Sequence, residues 1–336
     1  MSRATVSARD STRPPQAPAR HDPAWYTPSD LPAEFLAADS AVHGGLGVGA
    51  AGKVGLLDLA LAPSGGTTRV RRQYQRSPLY LYRPIYLDAG RPEMAFLFLQ
   101  QSGDGLVQGD RYRIDIDCAP GAAVHVTTQA PTKVFTARQN FATQLVNLTV
   151  GAGAVLEYLP DPVVPFRGSR LFQRTRVTAA PGATVILGET LLPGRVAYGE
   201  AHDYDLYRAE TEISRPDGTP LCADVLRLSP AGGAHPRSAG LLGAHDVVGT
   251  LYVVTGQLAP ATLVALLRES LAGGTGVQTG TQGGVLAGVS ELPNGCGASV
   301  RLLGPSGRAV EAAMRTAWGA ARVALLGAPP PNLRKS

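Results

Sequence analysis

Three short turns constrain this chain more than any other feature: APGAAV at 119–124, GAGAVL at 151–156 and APGATV at 180–185. Aligning Gly121, Gly153 and Gly182 brings their flanks into register. RYRIDID, QLVNLTV and QRTRVTA precede the turns, and VHVTTQ, LEYLPD and VILGET follow them. Each unit reads as strand, turn, strand, because alternating residues closed by Gly or Pro mark strands with one buried face. A repeat of about thirty residues implies stacked units that bury a shared core. The coils of a β-helix and the hairpins of a layered β structure both satisfy it.

Composition agrees with a turn-rich β protein: 40 Gly and 27 Pro in 336 residues, with only 6% aromatics. Alternation dominates from Leu56 to Pro230, and helical spacing enters only later. ATLVALLRESLAG places Leu263, Leu266, Leu267 and Leu271 on one side between Pro260 and Gly273, which predicts a helix near 260–272. SGRAVEAAMRTAWGAARVALLG aligns Val310, Met314, Ala317, Ala321 and Leu325, with Ser306 as N-cap and Gly327 as the C′ residue, which predicts a helix near 306–326. GGTGVQTGTQGG at 273–284 reads as a loop. The expected fold is mainly β: stacked β-sheets of β-helix-like repeating strand-turn-strand units, with two helices in the C-terminal third. Residues 1–40, rich in Pro, Ala, Ser and Arg without periodicity, read as a disordered arm, and 41–336 as a single domain.

Several function classes are excluded. The net charge of +5 is modest, and RVRRQYQR at 69–76 reads as a solvated strand face, so no nucleic-acid binding is expected. Cys118, Cys222 and Cys296 form no C-x-x-C, which supports neither a disulfide framework nor a zinc knuckle and suits a reducing compartment. The N-terminus has no apolar h-region, and no run approaches the ~18 apolar residues of a membrane span, so the cytoplasm is the expected location and no membrane partner is expected. There is no H-x-H or H-E-x-x-H, and the six histidines are far apart, so no high-affinity metal site is expected. GDGLVQGD at 103–110 lacks the G-K-[ST] of a P-loop, and no G-x-S-x-G elbow occurs.

Side-chain parity along a strand produces a less ordinary expectation. Tyr112, Ile114, Ile116 and Cys118 share the inward face of the first unit, and Asp110 lies two residues before Tyr112. Glu189 follows Val185 and Leu187 at spacing two, and Asp224 precedes Leu226 and Leu228 at spacing two. Three carboxylates are thus expected on apolar faces, where each needs Arg, a metal or water beside it. Local alternatives are an Asx turn at Gly109-Asp110, solvent at a strand end, or buried salt bridges with Arg195 or Arg227.

A set of segments resembles the UreD (UreH) urease accessory family: SPLYLYRP at 77–84, GDGLVQGDRYRIDI at 103–116, TTQAPTKVF at 127–135, LEYLPDPVVPF at 156–166 and GETLLPGRVAYGE at 188–200. WGAAR at 318–322 is similar as well, and the resemblance runs from about residue 45 to 335. It implies a β-rich, non-enzymatic protein that joins UreF and UreG on apo-urease so that Ni²⁺ reaches the active site, with GTP hydrolysis in UreG. It also implies no tightly bound cofactor, and nickel only in transit. Asp110, Glu189 and Asp224 match acidic family positions, as does Glu200; Lys133, Gly194 and Arg195 match supporting motif residues. Asp104, Gln108 and Thr136 depart from the family pattern. On this resemblance, Asp110, Glu189, Asp224 and Glu200 are the candidate internal acids of a wet nickel path. A β-helix or jelly-roll enzyme acting on carbohydrate is the alternative, and it requires a cleft with paired carboxylates.

Overall fold

The computed structural model describes residues 20, 25–37, 52–233, 235–273 and 284–333. A short helix α1 (Ala33–Leu36) precedes strands β1 (Val54–Ser64), β2 (Thr67–Arg76), β3 (Leu79–Tyr80), β4 (Ala95–Gln101), β5 (Arg111–Cys118) and β6 (Ala123–Thr128). There follow β7 (Thr132–Val134), β8 (Ala142–Val150), β9 (Val155–Tyr158), β10 (Val163–Pro165), β11 (Arg170–Ala179), β12 (Thr184–Leu191), β13 (Leu206–Ser214) and β14 (Pro220–Leu228). The last third holds β15 (Val247–Val254), α2 (Pro260–Ala272), β16 (Leu286–Glu291), β17 (Gly297–Gly304) and α3 (Gly307–Leu326).

The two strands of each repeat do not form a hairpin. β5, β8 and β11 lie parallel in one sheet, while β6, β9 and β12 lie parallel in the other. Each unit therefore crosses from sheet to sheet at its Gly turn, as a coil of a β-solenoid does. The turn spacing is the ladder register. Arg111 pairs with Thr143 and Ala123 with Val155, a step of 32 residues in both sheets, and the next step is 29 in both, Ala142 with Leu171 and Val155 with Thr184. Gly121, Gly153 and Gly182 repeat at those same steps.

The turn chemistry explains why they recur. Each Gly has a positive φ (73°, 67° and 78°), and the turns close by Ala122 N to Ala119 O, Ala154 N to Gly151 O and Ala183 N to Ala180 O, all at 3.0 Å. Pro120 or Pro181 before the Gly is the residue pair a type II turn prefers.

The first sheet runs β14-β13-β11-β8-β5-β1-β2 and the second β16-β17-β15-β12-β9-β6-β4-β3, with β7 and β10 branching from β12. Between the sheets lies the main core, in which Leu57, Ile116, Val126, Leu148, Val185 and Leu187 are buried. A second core on the outer face of the second sheet packs Phe96, Ile186 and Leu251 against Leu263 and Leu267 of α2 and Val310 and Ala317 of α3. Both predicted helices are present: Ser306 caps α3 by accepting from Ala309 N, and Gly327 takes the left-handed C-cap conformation.

The WGAAR segment finds its physical role in that second core. Trp318 and Arg322, one helical turn apart, both donate to Glu157 Oε1 on β9 (3.1 and 2.9 Å), and His125 Nδ1 on β6 meets Glu157 Oε2 at 2.7 Å. Arg322 is fully buried and also bonds Asp88. Charge this deep is tolerated only when it is paired on several sides.

Part of the N-terminal arm is ordered against the domain. Phe35 is fully buried, with ring centroids 5.0 Å from Phe141 and 5.4 Å from Phe172, and Tyr26 and Leu31 are buried nearby. These three apolar residues are spread through a Pro-rich segment and make no periodic signal, yet each fills a socket that only the folded sheet presents. Apart from Arg20 and 25–37, the stretch 1–40 lies outside the described residues, as do residues 274–283 of the predicted loop.

Candidate functional site

β12 carries Val185 and Leu187 into the main core, and the next residue on the same face is Glu189. Its Oε1 accepts from Thr211 Oγ1 on β13 at 3.1 Å and more distantly from Thr175 Oγ1 on β11 at 3.5 Å. No arginine pairs with it within salt-bridge distance among the described residues. Burial pushes its carboxyl up to about 7, the Thr211 hydrogen bond opposes that, and the nearby Asp224 charge adds to it.

Glu189 keeps some accessible surface despite its depth because two small polar cavities meet at it. One extends toward Thr250, Tyr252, Asp224 and Arg301; the other toward Thr132, Gln144, Asp161, Tyr158 and Gln173. In each, the space open to a water centre is about 10 Å³, room for roughly one water. Two polar atoms in the second cavity, Tyr158 Oη and Gln173 Oε1, are buried without a hydrogen-bond partner among the described residues. Buried polar groups are nearly always paired, and a space of this size suits a single water bridging these two atoms. A groove beside α3 shares Pro160, Asp161 and Thr190 with that cavity and opens past Glu311 and Arg315.

Asp224 is the second predicted acid at this place. It accepts from Tyr252 Oη at 2.5 Å and from the Arg301 guanidinium. Its cation is thus Arg301 of β17, while Arg227 turns to Glu34 of α1 at 2.9 Å and Arg195 to Glu200.

The other predicted residues lie elsewhere. Asp110 is buried, and its carboxylate accepts from the backbone N–H groups of Lys53 (2.6 Å) and Val107 (2.9 Å) and from Tyr112 Oη (3.3 Å), so it locks the loop before β5 to the start of β1. It does not line the cavities at Glu189. Glu200 forms a bidentate pair with Arg195 (2.8 and 2.5 Å), which holds its carboxyl below the usual range. The Arg195 guanidinium sits 4.2 Å from the Phe166 ring centroid. Gly194 allows this loop to close: its φ is +137°, and a Cβ there would come within 2.9 Å of Glu200 O. Lys133 is exposed, and its backbone carbonyl accepts from Leu106 N.

At two departures from the family pattern the new residue supplies a bond. Gln108 Oε1 accepts from Arg138 N and Gln139 N, and Thr136 Oγ1 donates to Arg167 O. Asp104 is exposed, and nothing in the structure explains its choice.

Sequence reasoning missed Tyr158, Gln173, Thr211, Tyr252 and Arg301. The parity that selected Glu189 also turns Gln173 and Thr175 of β11 inward with Leu171 and Val177, so an uncharged polar residue at an inward position was a usable signal.

These features define a β-solenoid protein with an acid-lined cavity between its sheets. The sequence pattern of the family described as UreD urease accessory protein matches residues 53–336. Urease accessory protein UreD 2 of Streptomyces griseus is 44% identical over 305 residues, covering 89% of this chain and 100% of that protein. UreD of Cenarchaeum symbiosum is 36% identical, covering 87% and 99%, and UreD of Haloarcula marismortui is 36% identical, covering 86% and 92%. The chain belongs to the UreD urease accessory protein family, which assigns it to urease maturation.

Proposed function

We propose that this chain is a non-catalytic maturation factor that docks on apo-urease with UreF and UreG and lets Ni²⁺ pass toward the urease active site through the cavities at Glu189. GTP hydrolysis belongs to UreG in this reading. The observation that carries it is the meeting of two small cavities at a carboxylate that has no arginine within salt-bridge distance among the described residues, beside Tyr158 Oη and Gln173 Oε1, which lack a hydrogen-bond partner among those residues.

The chemistry suits transfer. Carboxylate, hydroxyl and amide oxygens are weak ligands for Ni²⁺ compared with imidazole or thiolate, and a path needs sites that release what they admit. Among the described residues, no group of three or more His, Cys, Asp or Glu side chains is placed to hold a metal. Asp224 and Glu189 would attract the ion electrostatically, while Arg301 beside Asp224 keeps that carboxylate from binding it tightly. Asp110 and Glu200 support the path by shaping loops. We place the protein in the cytoplasm, where its free thiols Cys118, Cys222 and Cys296 stay reduced.

The carbohydrate-enzyme alternative fits less well. The space shared by Glu189 and Asp224 admits about one water, which leaves no room for a sugar ring between them. The decisive experiment is nickel-dependent activation of cognate apo-urease with Glu189→Ala and Asp224→Ala variants. Activation should fall while the complex still assembles. Unchanged activation with both variants would sink the path.

A further inference from the structure

β2 is the outermost strand of its sheet, with β1 as its one ladder neighbour among the described residues, and every residue from Arg71 to Arg76 is exposed. The strand carries Arg69, Arg71, Arg72 and Arg76, with Tyr74 among them and no lysine. The segment Tyr80–Arg83 lies against it, because Gln73 Nε2 donates to Leu81 O (2.7 Å) and Leu81 N donates to Gln75 Oε1 (3.0 Å). This places Tyr82, 76% exposed, and Arg83 beside the strand.

The positive charge here is largely uncompensated. Asp58 is the one carboxylate bonded to this strand among the described residues, and Arg20 and Arg72 share it. Arg69, Arg71 and Arg83 have no carboxylate within salt-bridge distance among the described residues. A register shift between Ala60 and Leu61 leaves Arg71 as the bulged residue. A bulged, charged edge resists addition of another strand, so recognition here runs through side chains.

Arginine forks match carboxylates bidentately, and Arg and Tyr are the residues most enriched at the energetic centres of protein interfaces. We propose that the β2 edge with Tyr82 and Arg83 is a docking surface for an acidic protein face, and that the face belongs to apo-urease. The second half rests on the docking role proposed above. Charge complementarity of this kind raises the association rate and makes it sensitive to salt.

The test uses the full chain and purified cognate apo-urease, with association measured at low and high salt. Wild type should bind, and more weakly as salt rises. The double variant Arg71→Glu/Arg83→Glu should raise Kd by about tenfold or more and flatten the salt dependence of the on-rate. Arg308→Glu, an equal change of sign at the start of α3, should leave binding near wild type. Three outcomes overturn the proposal: a double variant that binds like wild type, an Arg308→Glu loss as large as that of the double variant, or displacement of urease by a DNA duplex at matched ionic strength. Absence of wild-type binding would instead sink the docking role itself, and this surface with it. Urea midpoints of the variants, expected unchanged for exposed side chains, separate lost docking from lost folding.

Discussion

Thr211 Oγ1 on β13 donates a 3.1 Å hydrogen bond to Glu189 Oε1 on β12, across the interior between the two sheets. A donor to an ionised carboxylate lowers its pKa, so this bond partly offsets the burial that pushes Glu189 up to about 7. Thr211→Val should move the Glu189 midpoint further upward, by about one to two units, since a hydrogen bond to a charged group is worth about 1.5–3 kcal/mol. Carboxyl-carbon NMR of glutamate-labelled protein reads the midpoint directly. A midpoint that stays put would mean that Thr211 does not hold the charge.

Glu189 should make the protein less stable as pH rises. Its folded pKa is raised above the ordinary value of 4.5, so its favourable contribution is complete below about 4.5 and is lost on passing through about 7. Glu189→Gln removes that loss and should be more stable than wild type at pH 8, by up to about 3 kcal/mol, with little gain at pH 5. Urea unfolding at the two values checks it. Equal midpoints at pH 8 would show that the carboxylate is better solvated than its position between the sheets implies.

Arg322→Met should destabilise the fold by about 3–5 kcal/mol, because it leaves the buried Glu157 and Asp88 carboxylates short of a cation. Adding Glu157→Gln should restore part of the loss. The measurement is a double-mutant cycle by urea unfolding, and strict additivity would show that the two groups do not interact.

Glu157 should also make the fold acid-sensitive. Burial alone would raise its carboxyl, but His125, Arg322 and Trp318 together hold it below the ordinary value. A depressed acid contributes stability above its unfolded pKa of about 4.5, lost as pH falls through the folded value. Glu157→Gln should therefore flatten the stability profile below about pH 4.5, seen as a smaller drop in urea midpoint on acidification than wild type shows. A drop equal to wild type would count against this pairing.

Gly153→Ala should cost about 1–2 kcal/mol, since φ at this turn is 67° and a non-Gly residue pays for the left-handed conformation. A Cβ there would meet nothing within 4 Å, so the cost is backbone strain alone and Gly153→Asn should recover part of it. Thermal unfolding of the two variants gives the order, and an alanine variant as stable as wild type would remove the reason for the repeated glycines.

What the sequence by itself determined is local. Strand geometry forces alternation, a positive φ demands Gly, and 3.6-residue spacing sets a helix face. The repeat, its register, the inward set Tyr112, Ile114, Ile116 and Cys118, both long helices and the inward placement of Glu189 follow from neighbours within a few residues. Tertiary structure decided the partners. Asp224 takes Arg301, 77 residues away, in place of Arg195 or Arg227, and Glu157 takes Arg322, 165 residues away. It also decided that the units coil from sheet to sheet, that Phe35 of the arm is buried, and that Asp110 is spent on backbone N–H groups while Glu189 is left beside open space. Hydrogen bonding and packing between distant segments depend on where the sheets meet, and no periodicity along one strand encodes that distance.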